Sequence, residues 1–217
     1  MSTATTPLRI GILGAGSIGR PIGRHWSAAG HRMTFGSRNP ERLSEFVAGS
    51  CPEARTAGLF ETAETNDVLL LSVPHPAWPE LLESVGNSLA GKLVIDATNP
   101  MGLSDDGHII STLGPGLTQG RHASKSLPDT TIVRAFTHVM DELLWSRGTQ
   151  QRHFWGMAYA GDDTDAKDTV RGLILDAGFT PVDLGGLDDS APLDPGGPLF
   201  PHMFTPADLR TAAGLSV

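Results

Sequence analysis

The hexapeptide Gly14-Ala15-Gly16-Ser17-Ile18-Gly19 constrains this chain more than any other feature, because of what flanks it. Leu8, Ile10, Ile12 and Leu13 predict a buried strand before it. Residues Ser17 to Ala29 predict a helix stopped at Gly30, and His31 to Phe35 predict a second strand. Glycines at this spacing occur by chance in ligand-free turns, and that reading stays open for the motif alone. Set between a strand and a helix, they predict a dinucleotide-binding turn. The first glycine permits the sharp turn and the second lets backbone approach a pyrophosphate. The third lets helix and strand pack closely, with the helix N-terminus aimed at the phosphates.

The end of the second strand bears on which dinucleotide. A site for NAD usually places Asp or Glu there to accept hydrogen bonds from the ribose hydroxyls. Here no acid lies between Gly30 and Pro40, and the first is Glu41. Ser37 can bond a phosphate oxygen, Arg38 can pair with it and stack on adenine, and Arg42 adds a second cation. The pattern predicts NADP(H) rather than NAD(H), the alternative being a solvated Ser-Arg turn.

The α/β alternation continues along the chain. Val68 to Val73 reads as a strand buried on both faces, ending in the stiff loop Pro74-His75-Pro76. A helix is expected over Pro79 to Leu89, a strand over Leu93 to Ala97, and a long loop over Met101 to Gly116. A helix near Thr118 to Ser126 and strands at Thr131 to Phe136 and Phe154 to Ala160 follow. A helix at Asp163 to Ala177 and a strand at Thr180 to Leu184 complete the pattern. The expected fold is a Rossmann-type, doubly wound, mostly parallel sheet in one domain, residues 1–187. A Pro/Gly-rich tail, 188–217, follows it.

With 217 residues, the chain can bury a sizeable core as a single unit. Its net charge of -8 argues against nucleic acid and against an anionic membrane surface. The single cysteine, Cys51, excludes an internal disulfide and is expected to be a partly exposed thiol. Residues Met1 to Pro7 carry no signal-peptide pattern, and no apolar run approaches a membrane span, so a cytoplasmic location is expected. His108, His122, His153 and His202 show no paired metal-ligand spacing, and no metal is expected.

Several segments together resemble a known family: GILGAGSIG (11–19), FGSRNPERL (35–43), LLLSVPHPAW (69–78), LVIDATNP (93–100), VRAFTHV (133–139), and YAGDDTDAK with DAGFTPVDLGGL (159–187). They are similar to the NADPH-dependent coenzyme F420 reductase family and to the related cytosolic domains of membrane-bound metalloreductases. The resemblance implies hydride exchange between NADPH and a planar acceptor such as coenzyme F420, a deazaflavin. It implies that Ala15, Gly16, Ser17 and Ile18 wrap the pyrophosphate, with Gly14 and Gly19 shaping the turn. Ser37, Arg38 and Arg42 would meet the 2′-phosphate. Val73, Pro74 and Ala77 would line the nicotinamide-ribose side, and Asn99 would approach the nicotinamide. Ala135 and Phe136 would form a floor beside the acceptor. The chain departs from the family pattern at Phe136-Thr137-His138-Val139 and in its short tail.

Hydride transfer to a deazaflavin or flavin needs stacking and exclusion of water more than an acid–base pair. An imine or carbonyl acceptor would need a proton donor. His138 is the first candidate and His75 the second, each also readable as an ordinary loop imidazole. An NADPH-dependent imine, carbonyl or flavin reductase therefore remains an alternative, as does an NADP(H)-sensing regulatory protein. A small-molecule acceptor is the expected partner. Leu199, Phe200, Met203 and Phe204, separated by prolines, are expected to lie across a neighbouring subunit in a homodimer.

Overall fold

In the computed structural model, which describes residues 6–216, the chain alternates strand and helix from its first element. The first half contains β1 (Arg9–Leu13), α1 (Gly19–Ala28), β2 (Arg32–Gly36), α2 (Ser44–Ser50), β3 (Arg55–Ala57), α3 (Leu59–Thr65), β4 (Val68–Leu71), α4 (Trp78–Val85) and β5 (Leu93–Asp96). A hairpin follows, β6 (Met101–Leu103) and β7 (Ile109–Ser111), and then α5 (Gln119–Ser126) and β8 (Thr131–Ala135). The chain closes with α6 (Asp141–Gln150), β9 (Gly156–Gly161), α7 (Thr164–Asp176), β10 (Thr180–Asp183) and α8 (Pro206–Ala212).

Eight strands form one sheet in the order β10-β9-β8-β5-β4-β1-β2-β3, parallel except where β8 meets β9. From β1 the chain winds one way to β2 and β3, then returns to lay β4 on the other side of β1. The crevice between the carboxyl ends of β1 and β4 is therefore the topological switch point, where such sheets bind ligands. The strand β4 is Val-Leu-Leu-Leu and is buried throughout, because helices cover both sheet faces. On one face Trp26 of α1, Leu144 of α6 and Leu173 of α7 pack over β1, β2 and β8. On the other, Ala63, Trp78, Leu81 and Ala123 bring α3, α4 and α5 against β4 and β5. Each such large side chain contributes about 1.5–3 kcal/mol on burial.

The structure revises four expectations. The strand expected at Phe154 begins at Gly156, because Phe154 is exposed and turns out beside Trp155. The loop expected over Met101 to Gly116 contains the β6–β7 ribbon, with Gly107 at a φ of 86° near its tip. Cys51 is fully buried, and burial pushes its thiol pKa up.

The fourth revision concerns the tail. Leu199 is fully buried against Ala158, Ala160, Val182 and Leu184 of β9, β10 and the segment after them. Phe204 packs on the same cluster and Met203 on the main core. Leu199 is thus part of the chain's own core, while Phe200, Met203 and Phe204 are half-buried and keep surface open to solvent. Ala158 and Ala160 of β9 and Val182 of β10 present an apolar face that Leu193, Leu199 and Leu209 of the tail cover. Among the described residues, the tail therefore packs on the same sheet as the segments before it.

Candidate functional site

The glycine turn has the conformation its spacing predicts. Gly14 has a φ of 102°, a left-handed conformation that favours glycine. A Cβ on Gly19 would stand 2.5 Å from the Gly14 carbonyl oxygen and 2.7 Å from Ile12, so the third glycine is what seats α1 on β1. Gly16 differs: a Cβ there would meet nothing within 4 Å. The packing of the protein does not require a glycine there, which leaves this stretch of backbone open for a ligand to approach. No acid stands in the first turn of α1 to repel an anion.

A cleft of about 290 Å³ opens at this point. Its floor is Gly14, Ala15 and Gly16, one wall is Gly36, Ser37 and Arg38, and the opposite wall is Val73, Pro74 and Ala77 with Glu80 and Leu81 of α4. Ser72 ties floor to wall by donating its hydroxyl to the Gly14 carbonyl at 2.8 Å. Ser37 is held by its backbone N–H on Ala57 O and by its hydroxyl oxygen, which accepts from Asn39 N–H. The structure therefore brings eight of the expected cofactor residues into one cleft: Gly14, Ala15, Gly16, Ser37, Arg38, Val73, Pro74 and Ala77. Ser17 and Ile18 continue the turn outside its lining, and Arg42 is exposed on the helical turn Pro40–Leu43. Glu80, Leu59 and Ser84 also line the cleft. They lie on helices packed beside it, and nothing in the spacing of the glycine motif points to them.

At the ends of β4 and β5 a second set of polar groups gathers. Asn99 donates its side-chain N–H to Thr137 O at 3.0 Å, while its Oδ1 is buried without a protein partner. Gln119, fully buried, donates to Asp96 Oδ2 and Thr98 Oγ1. His75 lies 5.9 Å from the His122 ring and 6.2 Å from the Trp78 ring, with a buried Nε2. Burial, followed by the neighbouring His122, holds its pKa below the ordinary imidazole value. The Gln119 side chain acts on His75 as a hydrogen-bond partner, so Asn99 Oδ1 is the clearest of these groups to suit a bound molecule, because buried polar atoms are almost always hydrogen-bonded.

Three residues leave the candidate site. Ala135 is fully buried in the core, as is Phe136, whose ring meets Trp26 edge-on at 5.6 Å. Neither can form a floor for an acceptor, because the chain turns at Phe136 with a φ of 60° and drives that ring into the core. His138 is likewise fully buried. Its Nε2 accepts the Ala158 backbone N–H at 3.1 Å and its Nδ1 faces His202 O at 3.0 Å. A ring nitrogen that accepts from an amide cannot carry a proton, so the imidazole is neutral with its proton on Nδ1. Burial pushes its pKa down to about 4. Expected as a proton donor, His138 is instead a strut between β9 and the tail.

Among the described residues no helix is long and apolar enough to cross a membrane. Residues 9–100 match the family described as NADP oxidoreductase, coenzyme F420-dependent. The chain is 27% identical over 220 residues to the F420-dependent NADP reductase of Methanothermobacter marburgensis, covering 94% of this chain and 96% of that protein. It is 28% identical over 183 residues to Metalloreductase STEAP3 of Rattus norvegicus, covering 82% of this chain but only 34% of that relative's length. A hypothetical protein from Sinorhizobium meliloti has a similar structure, with a TM-score of 0.79, 25% identity, and coverage of 92% and 96% of the two chains. Over residues 9–100, and over most of its length in the reductase of Methanothermobacter marburgensis, the chain is thus similar to NADP-dependent oxidoreductases.

Proposed function

We propose that this protein is an NADPH-dependent reductase that passes hydride between NADP(H) and a planar acceptor, with coenzyme F420 as that acceptor. The observation that carries the reading is one cleft at the switch point combining the open backbone of Gly16 with Ser37 and Arg38. The backbone of Ala15 to Ile18 would hold the pyrophosphate at the start of α1, and Ser37 and Arg38 the 2′-phosphate. Val73, Pro74 and Ala77 exclude water from the ribose side, and Asn99 Oδ1 offers an acceptor to a carboxamide N–H. When bound, the reduced nicotinamide supplies the hydride, and the protein's part is to stack and shield the two rings. F420 as acceptor is supported by the family match and by the methanogen relative, aligned over almost its whole length.

Two substitutions test the cofactor site. Gly16→Val adds a side chain where the protein has no neighbour within 4 Å, so the melting temperature should hold while nucleotide affinity falls by more than about tenfold. An unchanged Kd would remove the phosphates from this turn. Arg38→Ala should weaken NADPH by about 1.5–3 kcal/mol and leave NADH nearly unchanged, as loss of a charge-assisted contact requires. The acceptor is tested by mixing protein, NADPH and F420 and following the deazaflavin absorbance, where no decay would refute it.

A second reading, an imine or carbonyl acceptor, is favoured by one observation. His75 stands at the carboxyl edge of the sheet with the His122 ring 5.9 Å away, where an imidazole can supply a proton. Steady-state turnover with cyclic imines in place of F420 separates the two readings.

A further inference from the structure

The end of β2 lacks the acid that reads ribose hydroxyls, yet the cleft contains one. Glu80 stands in the first turn of α4, on the wall opposite Arg38, and both line the cleft. Arg38 Nη1 donates to both Glu80 oxygens, at 3.1 and 3.2 Å, so the pair closes across the mouth of the cleft. The two side chains are 69% and 63% exposed. Exposed pairs of this kind are weak and exchange readily. Only Nη1 is engaged, and among the described residues the other guanidinium nitrogens make no hydrogen bond. Arg38 can therefore leave Glu80 for a stronger anion with little loss.

We propose that Glu80 is a specificity-determining residue: its carboxylate accepts the ribose hydroxyls of a nucleotide without a 2′-phosphate and competes for Arg38 with one that has it. The proposal rests on the reading of this cleft as the NADP(H) site. It follows from charge and placement. A 2′-phosphate bound by Ser37 and Arg38 would sit within reach of a carboxylate already bonded to Arg38, and like charges so placed repel. A bare ribose brings no charge and two hydroxyl donors, which a carboxylate on the facing wall suits. The missing acid of β2 is thus supplied from 42 residues further along the chain. The protein accordingly discriminates between the two nucleotides less sharply than Ser37 and Arg38 alone would.

Fluorescence titration of wild type, Glu80→Gln and Glu83→Gln with NADPH and with NADH tests this. Glu83 is an exposed acid on the same helix outside the cleft lining, and it controls for a general change of charge. Glu80→Gln should tighten NADPH about 3–10-fold and weaken NADH, and the gain for NADPH should shrink in high salt. Glu83→Gln should leave the ratio of the two affinities where it is. A ratio unmoved by Glu80→Gln, or weaker NADPH binding in that variant, overturns the role of Glu80 while leaving the cofactor site in place. If wild type binds neither nucleotide, the reading of the cleft falls, and Glu80 with it.

Discussion

Arg134→Met should lower the folding stability by about 3–5 kcal/mol, the loss expected when one partner of a buried charge cluster is removed. The Arg134 and Asp96 side chains are both fully buried, and that of Asp194 is 8% exposed. The guanidinium donates to Asp96 Oδ2 at 3.2 Å and to Asp194 Oδ1 at 3.1 Å, and to the carbonyls of Asp96 and Thr98. Two carboxylates share one cation, and burial raises the Asp194 pKa despite Arg134. Methionine would fill most of the space but leave both carboxylates facing each other in the core. The cluster joins β5, β8, the start of α5 (through the Gln119 N–H on Asp194 Oδ2) and the tail. Urea unfolding should therefore show a lower midpoint, with the tail released at least as readily as the sheet. None of these residues lines the cleft at the glycine turn, so NADPH affinity should survive wherever the variant is folded. A loss below about 1 kcal/mol would mean that water reaches the cluster.

That cluster also shows where sequence reading stops. Arg134 sits in the apolar run Thr131–Ala135, and Asp194 in a proline-rich stretch that reads as surface. Their pairing spans 60 residues and depends on the tail folding back, which no local pattern encodes. The elements that were legible have strong periodicity or punctuation. The strands β1, β4 and β5 are short apolar runs, and α1 ends at Gly30 with a φ of 96°. The helix α7 is capped by Asp163, whose carboxylate accepts the Ala166 N–H at 2.8 Å. By contrast α6 has a weak apolar stripe, with Leu144 and Gly148 its buried residues. It is held by tertiary contacts, including His25 Nε2 against Leu144 O at 2.7 Å. The short edge strand β3 likewise gives little signal over three residues. In the site, the glycine turn and Ser37-Arg38 were legible because each acts through its own backbone or charge. Glu80, Asn99 and Gln119 gain meaning only from the walls they face.

The departure at His138 leads to the second large effect. The pairing of β8 with β9 runs as far as Ala135 opposite Tyr159. Beyond it the chain turns at Phe136, and the His138 imidazole takes the Ala158 N–H. His138→Ala should cost about 3–5 kcal/mol, because it opens a cavity and strands the Ala158 N–H and the His202 carbonyl. If hydride passes directly to a deazaflavin, turnover per folded molecule and NADPH affinity should stay near wild type. A collapse of the rate in well-folded protein would restore His138 as a proton donor.

The same imidazole makes stability depend on pH. Its folded pKa of about 4 lies below the ordinary imidazole value of about 6.5, so between the two the unfolded chain binds the extra proton. Stability from this group is therefore present above pH ~6.5 and is lost as pH falls toward ~4, by about 3 kcal/mol in all. Burial also lowers His25, which acts in the same direction. His138→Gln has no proton to take up and can still bond both backbone partners. Its stability should accordingly fall less steeply with acid than that of wild type, as thermal unfolding followed at pH 7, 6, 5 and 4 would measure. Parallel curves for the two proteins would place the acid sensitivity elsewhere, with His25 the next buried imidazole to substitute.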